Sequence, residues 1–161
     1  MQVVVLDTNI ALDVLLFADA AAQPLRTAVQ SQQVQWLATA RMREELARVL
    51  RYPQIAKRAA FYQRTDADIL GQYDACAQIV EPAAACPMVC RDPDDQVFID
   101  LAVAHHAQLI SKDDHVLRMR KRLLKGYGVV VTKTYVPDTM AVATASATLM
   151  PSTAADKIPP A

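Results

Sequence analysis

Four acidic side chains stand where the chain could assemble a site for a divalent metal ion. Asp7 and Asp113 each follow a short apolar run, Asp95 falls in the first turn of a predicted helix, and Glu45 falls in the middle of another. Carboxylates that converge repel one another unless a cation lies between them, and Mg²⁺ and Mn²⁺ prefer carboxylate oxygens. The four acids therefore predict metal-dependent chemistry, such as the activation of a water molecule.

Each acid also has a purely structural interpretation. Asp95 could complement the dipole of the helix that it begins, and Asp113 or Asp114 could cap the next helix. Glu45 could be a solvated helix residue paired with a nearby arginine. Asp7 is the hardest to explain in this way, because a carboxylate that ends a buried strand is costly without a partner.

The apolar pattern predicts strands that alternate with helices. Strands are predicted at residues 3–6, 34–38, 78–81, 109–111 and 128–132. Helices are predicted at residues 10–17, 24–32, 39–50, 54–64, 92–106 and 114–124, and one more begins with the capping pattern at 65–68. Near-continuous apolar strands between helices are typical of a parallel sheet covered on both faces. We therefore predict the α/β class, as a three-layer α/β/α sandwich with a four- to five-stranded parallel sheet.

Length and composition limit the chain to one domain of an ordinary globular type. Of the 161 residues, 53% are hydrophobic and 21% are charged. Residues 1–134 are predicted to form the domain, and the Ala-, Thr- and Pro-rich residues 135–161 a loosely structured or disordered tail. The sequence contains no apolar run of the ~20 residues that a membrane span needs, and its three cysteines fit a reducing compartment. We expect a cytoplasmic protein without membrane contact.

Charges of opposite sign occupy separate blocks of the sequence. Residues 41–64 and residues 112–133 each hold seven basic against two acidic residues, whereas residues 66–100 hold eight acidic against one basic residue. The seventeen basic and seventeen acidic residues cancel, which excludes a strongly basic nucleic-acid coat. The blocks favour a protein that gathers acids in one place and surrounds them with cations, although any one block could be a solvated helix face.

Four short motifs, in this order along the chain, resemble the PIN domain family over roughly residues 1–133. They are Asp7-Thr8-Asn9, Glu45-Leu46-Ala47-Arg48, Arg91-Asp92-Pro93-Asp94-Asp95 and Ile110-Ser111-Lys112-Asp113. More narrowly, the chain is similar to the toxin components of bacterial toxin–antitoxin systems, the VapC-like ribonucleases. The family usually has a small residue where this chain has Lys112, whose side chain could contact a phosphate or face water.

This resemblance implies a metal-dependent endoribonuclease. The family's four acids correspond to Asp7, Glu45, Asp95 and Asp113, and its supporting polar positions to Asn9 and Ser111. Mg²⁺ or Mn²⁺ would bind between Asp7, Asp95 and Asp113, with Glu45 at the edge. Hydrolysis of the phosphodiester bond would leave a 5′-phosphate and a 3′-hydroxyl. Glu44, Asp94 and Asp114 are adjacent competitors for these roles.

The resemblance also implies partners. Single-stranded or looped RNA is the expected substrate, because an A-form helix hides its bases. Its backbone could be guided by a set of basic residues, namely Arg41, Arg43, Arg48, Arg51, Lys112 and those at 118–122. An antitoxin protein that blocks the acidic pocket and a homodimer or higher homo-oligomer are expected. Apolar surface for such contacts is predicted between residues 54 and 77, at Ile55, Phe61, Tyr62, Ile69, Leu70 and Tyr73.

Other functions fit parts of the sequence less well. A haloacid-type phosphatase needs an acid at position 9 and a threonine at position 11, where this chain has Asn9 and Ala11. A receiver domain needs a central phosphorylatable aspartate that we cannot place. Cys86 and Cys90 with the histidines at 105–106 have zinc-binding chemistry at an unusual spacing. The alternative from a different class is a non-catalytic PIN scaffold that binds a partner protein, which would not cleave RNA with Mn²⁺.

Overall fold

A single five-stranded parallel sheet forms the centre of the protein. The computed structural model describes residues 1–138. Its strands are β1 (Gln2–Leu6), β2 (Val34–Ala38), β3 (Ala77–Ile79), β4 (Gln108–Ile110) and β5 (Val131–Thr132). They lie side by side in the order β3-β2-β1-β4-β5. Strands β2 and β3 therefore lie on one side of β1, and the chain then crosses to the other side of β1, where β4 and β5 lie.

Helices flank the sheet, so the predicted α/β sandwich is confirmed. Within residues 1–138 the α-helices are α1 (Thr8–Leu12), α2 (Gln23–Gln30), α3 (Ala40–Val49), α4 (Pro53–Phe61), α5 (Asp66–Cys76), α6 (Pro93–His105), α7 (Asp114–Leu117) and α8 (Arg120–Tyr127). Of these described helices, none is long and apolar enough to cross a membrane.

The strands β1 and β4 lie at the centre of the core. The side chains of Val4, Val5, Leu109 and Ile110 have no solvent exposure, as expected for a parallel sheet covered on both faces. On the β2–β3 side, the ring of Trp36 packs edge-on against Tyr73, with 4.9 Å between centroids. This packing corrects one prediction, because Ile69 and Tyr73 are buried and offer no contact surface, whereas Phe61 and Tyr62 are exposed.

Local capping chemistry explains where several helices begin. Asp92 caps α6 by accepting a hydrogen bond from the amide of Asp94, and Pro93 occupies the first helical position. Thr65 and Asp68 form the predicted capping box of α5. Helix α3 ends at Val49, shortly before Pro53 opens α4, in agreement with the effect expected of that proline.

Three predicted elements differ in detail from the structure. The helix predicted at 10–17 is α1 followed by a π-helical turn, Asp13–Phe17, and a π-helical turn places one extra residue in each hydrogen-bonded loop. The helix predicted at 114–124 is divided into α7 and α8. Strand β5 is shorter than predicted, because Gly128 caps α8 in a left-handed conformation with φ of 68°.

The first residues of the predicted tail contact the sheet. The hydroxyl of Tyr135 donates to Oε1 of Gln2 at 3.1 Å, and the carbonyl of Val136 accepts from the side-chain amides of Gln2 and Gln108, both at 3.0 Å. The rest of the tail, residues 139–161, lies outside the described residues.

Candidate active site

The carboxyl ends of β1 and β4 form the point at which the strand order reverses. Leu6 is paired with Ile110, and the amide of Asp7 donates to the carbonyl of Ile110 at 3.1 Å. Segments that leave such neighbouring strands toward opposite sides of a sheet open a crevice between them, where open α/β sheets bind their ligands. Asp7 and the segment 111–113 therefore lie together at this crevice.

Ser111 links two of the predicted acids. Its buried hydroxyl donates to Oδ2 of Asp7 at 2.7 Å and accepts from the backbone amide of Asp113 at 3.1 Å. Burial raises the pKa of Asp7, and the charges of Asp113 and Glu45 also raise it, whereas the hydrogen bonds from Ser111 and the Thr8 amide lower it. The protein thus holds a buried carboxylate beside two others and offsets part of the cost with hydrogen bonds.

Asp95 joins these residues from the first turn of α6. Its side chain is 8% exposed, and its Oδ2 atom is buried without a hydrogen-bond partner. Burial, together with the charges of Asp113 and Asp7, raises the pKa of Asp95 to about 7. A buried oxygen without a hydrogen-bond donor is uncommon in folded proteins and is consistent with a catalytic or ion-binding role.

Asp113 has a structural role as well as its place beside Asp95. It caps the short helix α7, because its Oδ1 accepts from the amide of His115 at 2.8 Å. The structural interpretation of this acid therefore holds, but it leaves the other carboxylate oxygen available. The carboxyl groups of Asp95 and Asp113 lie within hydrogen-bonding reach of each other.

Glu45 reaches the site from α3 and is held by a residue that the sequence did not single out. Thr8 donates from Oγ1 to Oε2 of Glu45 at 2.7 Å. The position of Thr8 next to Asp7, at the start of α1, is the signal that could have indicated it. Asn9, which the family motif predicts as a supporting residue, is exposed, and no side-chain hydrogen bond of Asn9 is found within residues 1–138.

Burial separates the predicted acids from their competitors. Glu44, Asp94 and Asp114 are exposed, whereas Asp7 and Asp95 are buried. Buried carboxylates lack the water that would stabilise their charge, so a cation binds more strongly among them than among exposed ones. The pattern favours Asp7 and Asp95 as ligands over their exposed neighbours.

The donor set suits a hard divalent cation. Within residues 1–138 the ion pairs are Arg43–Asp74 and Lys112–Asp13, so none of the four predicted acids is paired with a basic side chain. Carboxylate oxygens, one of them without a partner, are the ligands that Mg²⁺ and Mn²⁺ prefer. However, no three His, Cys, Asp or Glu side chains of these residues are close enough to form a complete metal site. The acids are near one another, but in this arrangement they do not form a complete coordination site.

The predicted basic contacts fall into two groups. Arg41 and Arg48 are exposed and line a cavity of about 210 Å³ together with Glu45. Arg43 instead forms two hydrogen bonds with Asp74, at 2.6 and 2.8 Å. The Nζ atom of Lys112 contacts Oδ2 of the buried Asp13 at 2.6 Å, a partner that sequence reasoning missed.

The comparisons with known proteins agree with this geometry. A family model described as the PIN domain matches residues 3–115. The chain belongs to the PIN domain family. Members of this family are in general nucleases that use divalent metal ions. No curated protein matches the sequence.

A solved structure shares the fold of this PIN domain. It is the crystal structure of VapBC2 from Rickettsia felis bound to a DNA fragment from their promoter. The similarity covers 81% of this chain and 97% of that chain, with a TM-score of 0.53 and 10% sequence identity. At this identity the likeness concerns the fold, and it supports the arrangement of strands and helices described above.

Proposed function

We propose that this PIN domain is a metal-dependent endoribonuclease that hydrolyses phosphodiester bonds in single-stranded or looped RNA. The observation that supports the proposal is the gathering of Asp7, Asp95 and Asp113 at one crevice without a basic partner. Burial, and after it the charges of Asp113 and Asp7, raise the pKa of Asp95 to about 7. Carboxylates with raised pKa values are common at functional sites, and without a basic partner these acids are expected to bind a cation.

The residues of the site would have different roles in hydrolysis. Asp7, Asp95 and Asp113 would hold Mg²⁺ or Mn²⁺, which supplies a water of lowered pKa and neutralises charge on the scissile phosphate. Ser111 orients the carboxylate of Asp7 through the 2.7 Å hydrogen bond. Glu45, whose carboxylate accepts a hydrogen bond from Thr8, would accept a proton from the attacking water.

The surroundings of the crevice support an RNA substrate. Arg41 and Arg48 lie beside Glu45 and are free of ion pairs within residues 1–138. Their positive charges attract a phosphate backbone and give affinity but no sequence choice. A single strand or a loop can bring its phosphate to the acids more easily than a stacked duplex can.

We further propose that the protein is the toxin of a toxin–antitoxin pair. The support is the shared fold with VapBC2, together with membership of the PIN family. An antitoxin peptide that presents a basic group to the four unpaired acids would occupy the same crevice as the metal ion. The exposed rings of Phe61 and Tyr62 on and after α4 offer apolar surface for a homodimer or higher oligomer.

Cleavage of labelled RNA tests the proposal. Single-stranded, hairpin and fully paired RNAs are incubated with the purified chain in Mn²⁺, in Mg²⁺ and in EDTA. We expect cleavage of the first two RNAs, only with metal, giving products with a 5′-phosphate. Asp7→Asn should lose this activity, and Asp66→Asn, which removes an exposed acid of α5, should keep it. If the folded wild type cleaves none of these RNAs with either metal, the non-catalytic scaffold replaces the nuclease.

A further inference from the structure

An apolar cavity lies beside the acidic crevice, on the β4–β5 side of the sheet. It has a volume of about 210 Å³, and its apolar lining includes Ile10, Leu25, Ile110 and Tyr135. Two acids, Asp13 and Asp19, also line it. Leu25 and Ile110 are buried, whereas Lys112 and Lys133, which also line it, are exposed and mark its mouth. We call this space the lysine-rimmed cavity.

Two lysines of the cavity lining lie close to residues of the proposed site. Lys112 stands between Ser111, which binds Asp7, and Asp113, which neighbours Asp95. Lys133 follows β5, and the amide of Ser111 donates to the carbonyl of Thr132 at 2.9 Å. Both lysines therefore lie at the same edge of the sheet as the acids.

Of the two lysines, one forms an ion pair and the other does not. Lys112 is paired with the buried Asp13, so its charge is compensated. Lys133 has no ion pair within residues 1–138. Lys133 is therefore the lining cation without an ion pair within residues 1–138, and it shares the lining with the exposed Asp19.

A basic groove continues from the cavity along α7 and α8. It has a volume of about 610 Å³, and its lining consists of Asp114, Leu117, Arg118, Arg120, Lys121 and Lys133. The four basic side chains are exposed and form no ion pair within residues 1–138. Lys133 belongs to both the lysine-rimmed cavity and this groove, which makes them one surface with an apolar and a cationic part.

We infer that this surface binds the RNA strand on one side of the cleaved bond, with phosphates in the basic groove and one unstacked base in the lysine-rimmed cavity. The inference rests on the proposed function. Single-stranded nucleic acid combines a charged backbone with bases whose faces are apolar, and proteins bind it with cations beside apolar or aromatic surface. At about 210 Å³ the cavity is smaller than the roughly 300–1,000 Å³ of drug-sized ligand sites, which suits one base.

The two parts of the surface would have different effects on recognition. Phosphate contacts in the groove raise affinity without regard to sequence, whereas a base enclosed in a cavity is read by its shape and polar edge. The lysine-rimmed cavity therefore predicts a preference for one nucleotide at a constant distance from the cleaved bond. Paired RNA should not use the cavity, because its bases are held in the duplex.

Salt dependence tests the cationic part. The affinity of a fluorescent single-stranded RNA is measured in EDTA, so that the strand stays intact, over a range of salt concentrations. Lys133→Gln should lower the slope of log affinity against log salt by about 0.7, the value for one lost phosphate contact in a single strand. Lys125→Gln removes the same charge from α8 outside the groove and should leave the slope unchanged. Equal slopes for the two variants would overturn the cationic part.

Abasic RNAs test the cavity. One base at a time is removed along the strand, and the wild type should lose at least about five-fold in affinity at one position only. Ala21→Phe fills the cavity from its exposed side and should abolish that position's effect. Ala20→Phe, in the same exposed turn but outside the lining, should retain it. A uniform abasic profile, or one that Ala21→Phe leaves unchanged, overturns the base site.

Measurement of RNA cleavage distinguishes a failure of this inference from a failure of the proposed function. If the wild type cuts single-stranded RNA with Mn²⁺ but the Lys133 and Ala21 variants behave like their controls, this inference fails and the proposed function stands. If the wild type neither binds nor cuts single-stranded RNA, the proposed function fails and this inference fails with it.

Discussion

The hydroxyl of Ser111 connects to the carboxylate of Asp7 by a hydrogen bond of 2.7 Å, between the ends of two adjacent strands. The same oxygen accepts from the amide of Asp113 at 3.1 Å. One buried side chain therefore orients the acid after β1 and the backbone of the acid after β4. Hydrogen bonds of this kind orient metal-ligating side chains before the ion binds.

Replacing Ser111 with alanine should weaken metal binding. Asp7 would lose a hydrogen bond that lowers its pKa, so its charged form would be less available to a cation. We expect a fall of roughly 10- to 100-fold in Mn²⁺ affinity, as for other residues that support metal ligands. Titration calorimetry measures it. Ser31→Ala is the control, because that hydroxyl bonds only to backbone carbonyls. Unchanged Mn²⁺ affinity in Ser111→Ala would contradict the supporting role.

Asp95 should make the stability of the metal-free protein depend on pH. Its pKa is raised to about 7 in the folded state, above the value of about 3.9 in an unfolded chain. The folded protein therefore favours the protonated acid, and the penalty grows as pH rises from about 4 to about 7. The thermal midpoint should fall between pH 5 and pH 8, less steeply in Asp95→Asn than in the wild type or Asp94→Asn.

Mn²⁺ should reverse this trend. Because the ion binds charged carboxylates, it should raise the thermal midpoint of the wild type more at pH 8 than at pH 5. Asp95→Asn should lose most of this gain, and the exposed Asp94→Asn should retain it. Identical pH profiles for all three proteins would show that Asp95 is not a charged ligand.

The sequence could predict the position in the fold of those candidate residues that follow strand ends. Asp7 and Asp113 could be located because apolar runs stop beside them, and because parallel strands end at one edge of a sheet. Helix α6 could be located because Asp92 and Pro93 form a recognisable start. These sequence patterns are local. They predict the structure correctly here because burial of the strands and capping of the helix determine the local fold.

Contacts between distant elements could not be predicted in this way. The Thr8–Glu45 hydrogen bond joins α1 to α3, and the Lys112–Asp13 pair joins the end of β4 to a π-helical turn. Apolar periodicity reports which face of a helix is buried but not which polar side chains meet across elements. The π-helical turn itself is one extra residue in a helical pattern, which a period of 3.6 does not reveal.

Thr8→Val should separate catalysis from metal binding. Valine has nearly the same shape as threonine but cannot donate the hydrogen bond that orients Glu45. We expect kcat for RNA cleavage to fall at least about ten-fold, within the usual contribution of a positioned acid or base, while Mn²⁺ affinity is largely retained. Glu45→Gln should have the same split effect, and Glu44→Gln, an exposed neighbour, should have neither. A parallel loss of Mn²⁺ affinity in Thr8→Val would instead make Glu45 a metal ligand.

The arginines of α3 should differ in their effect on RNA binding, although sequence reasoning grouped them together. Arg43 is engaged by Asp74, so Arg43→Gln should leave RNA affinity almost unchanged and cost at most about 1 kcal/mol of stability, as for exposed ion pairs. Arg41→Gln and Arg48→Gln remove unpaired charges beside Glu45 and should each reduce the salt slope of binding by about 0.7. Fluorescence anisotropy across salt concentrations measures all three. If Arg43→Gln weakens binding as much as the other two variants, the Asp74 pair opens in the complex and the whole face of α3 contacts the strand.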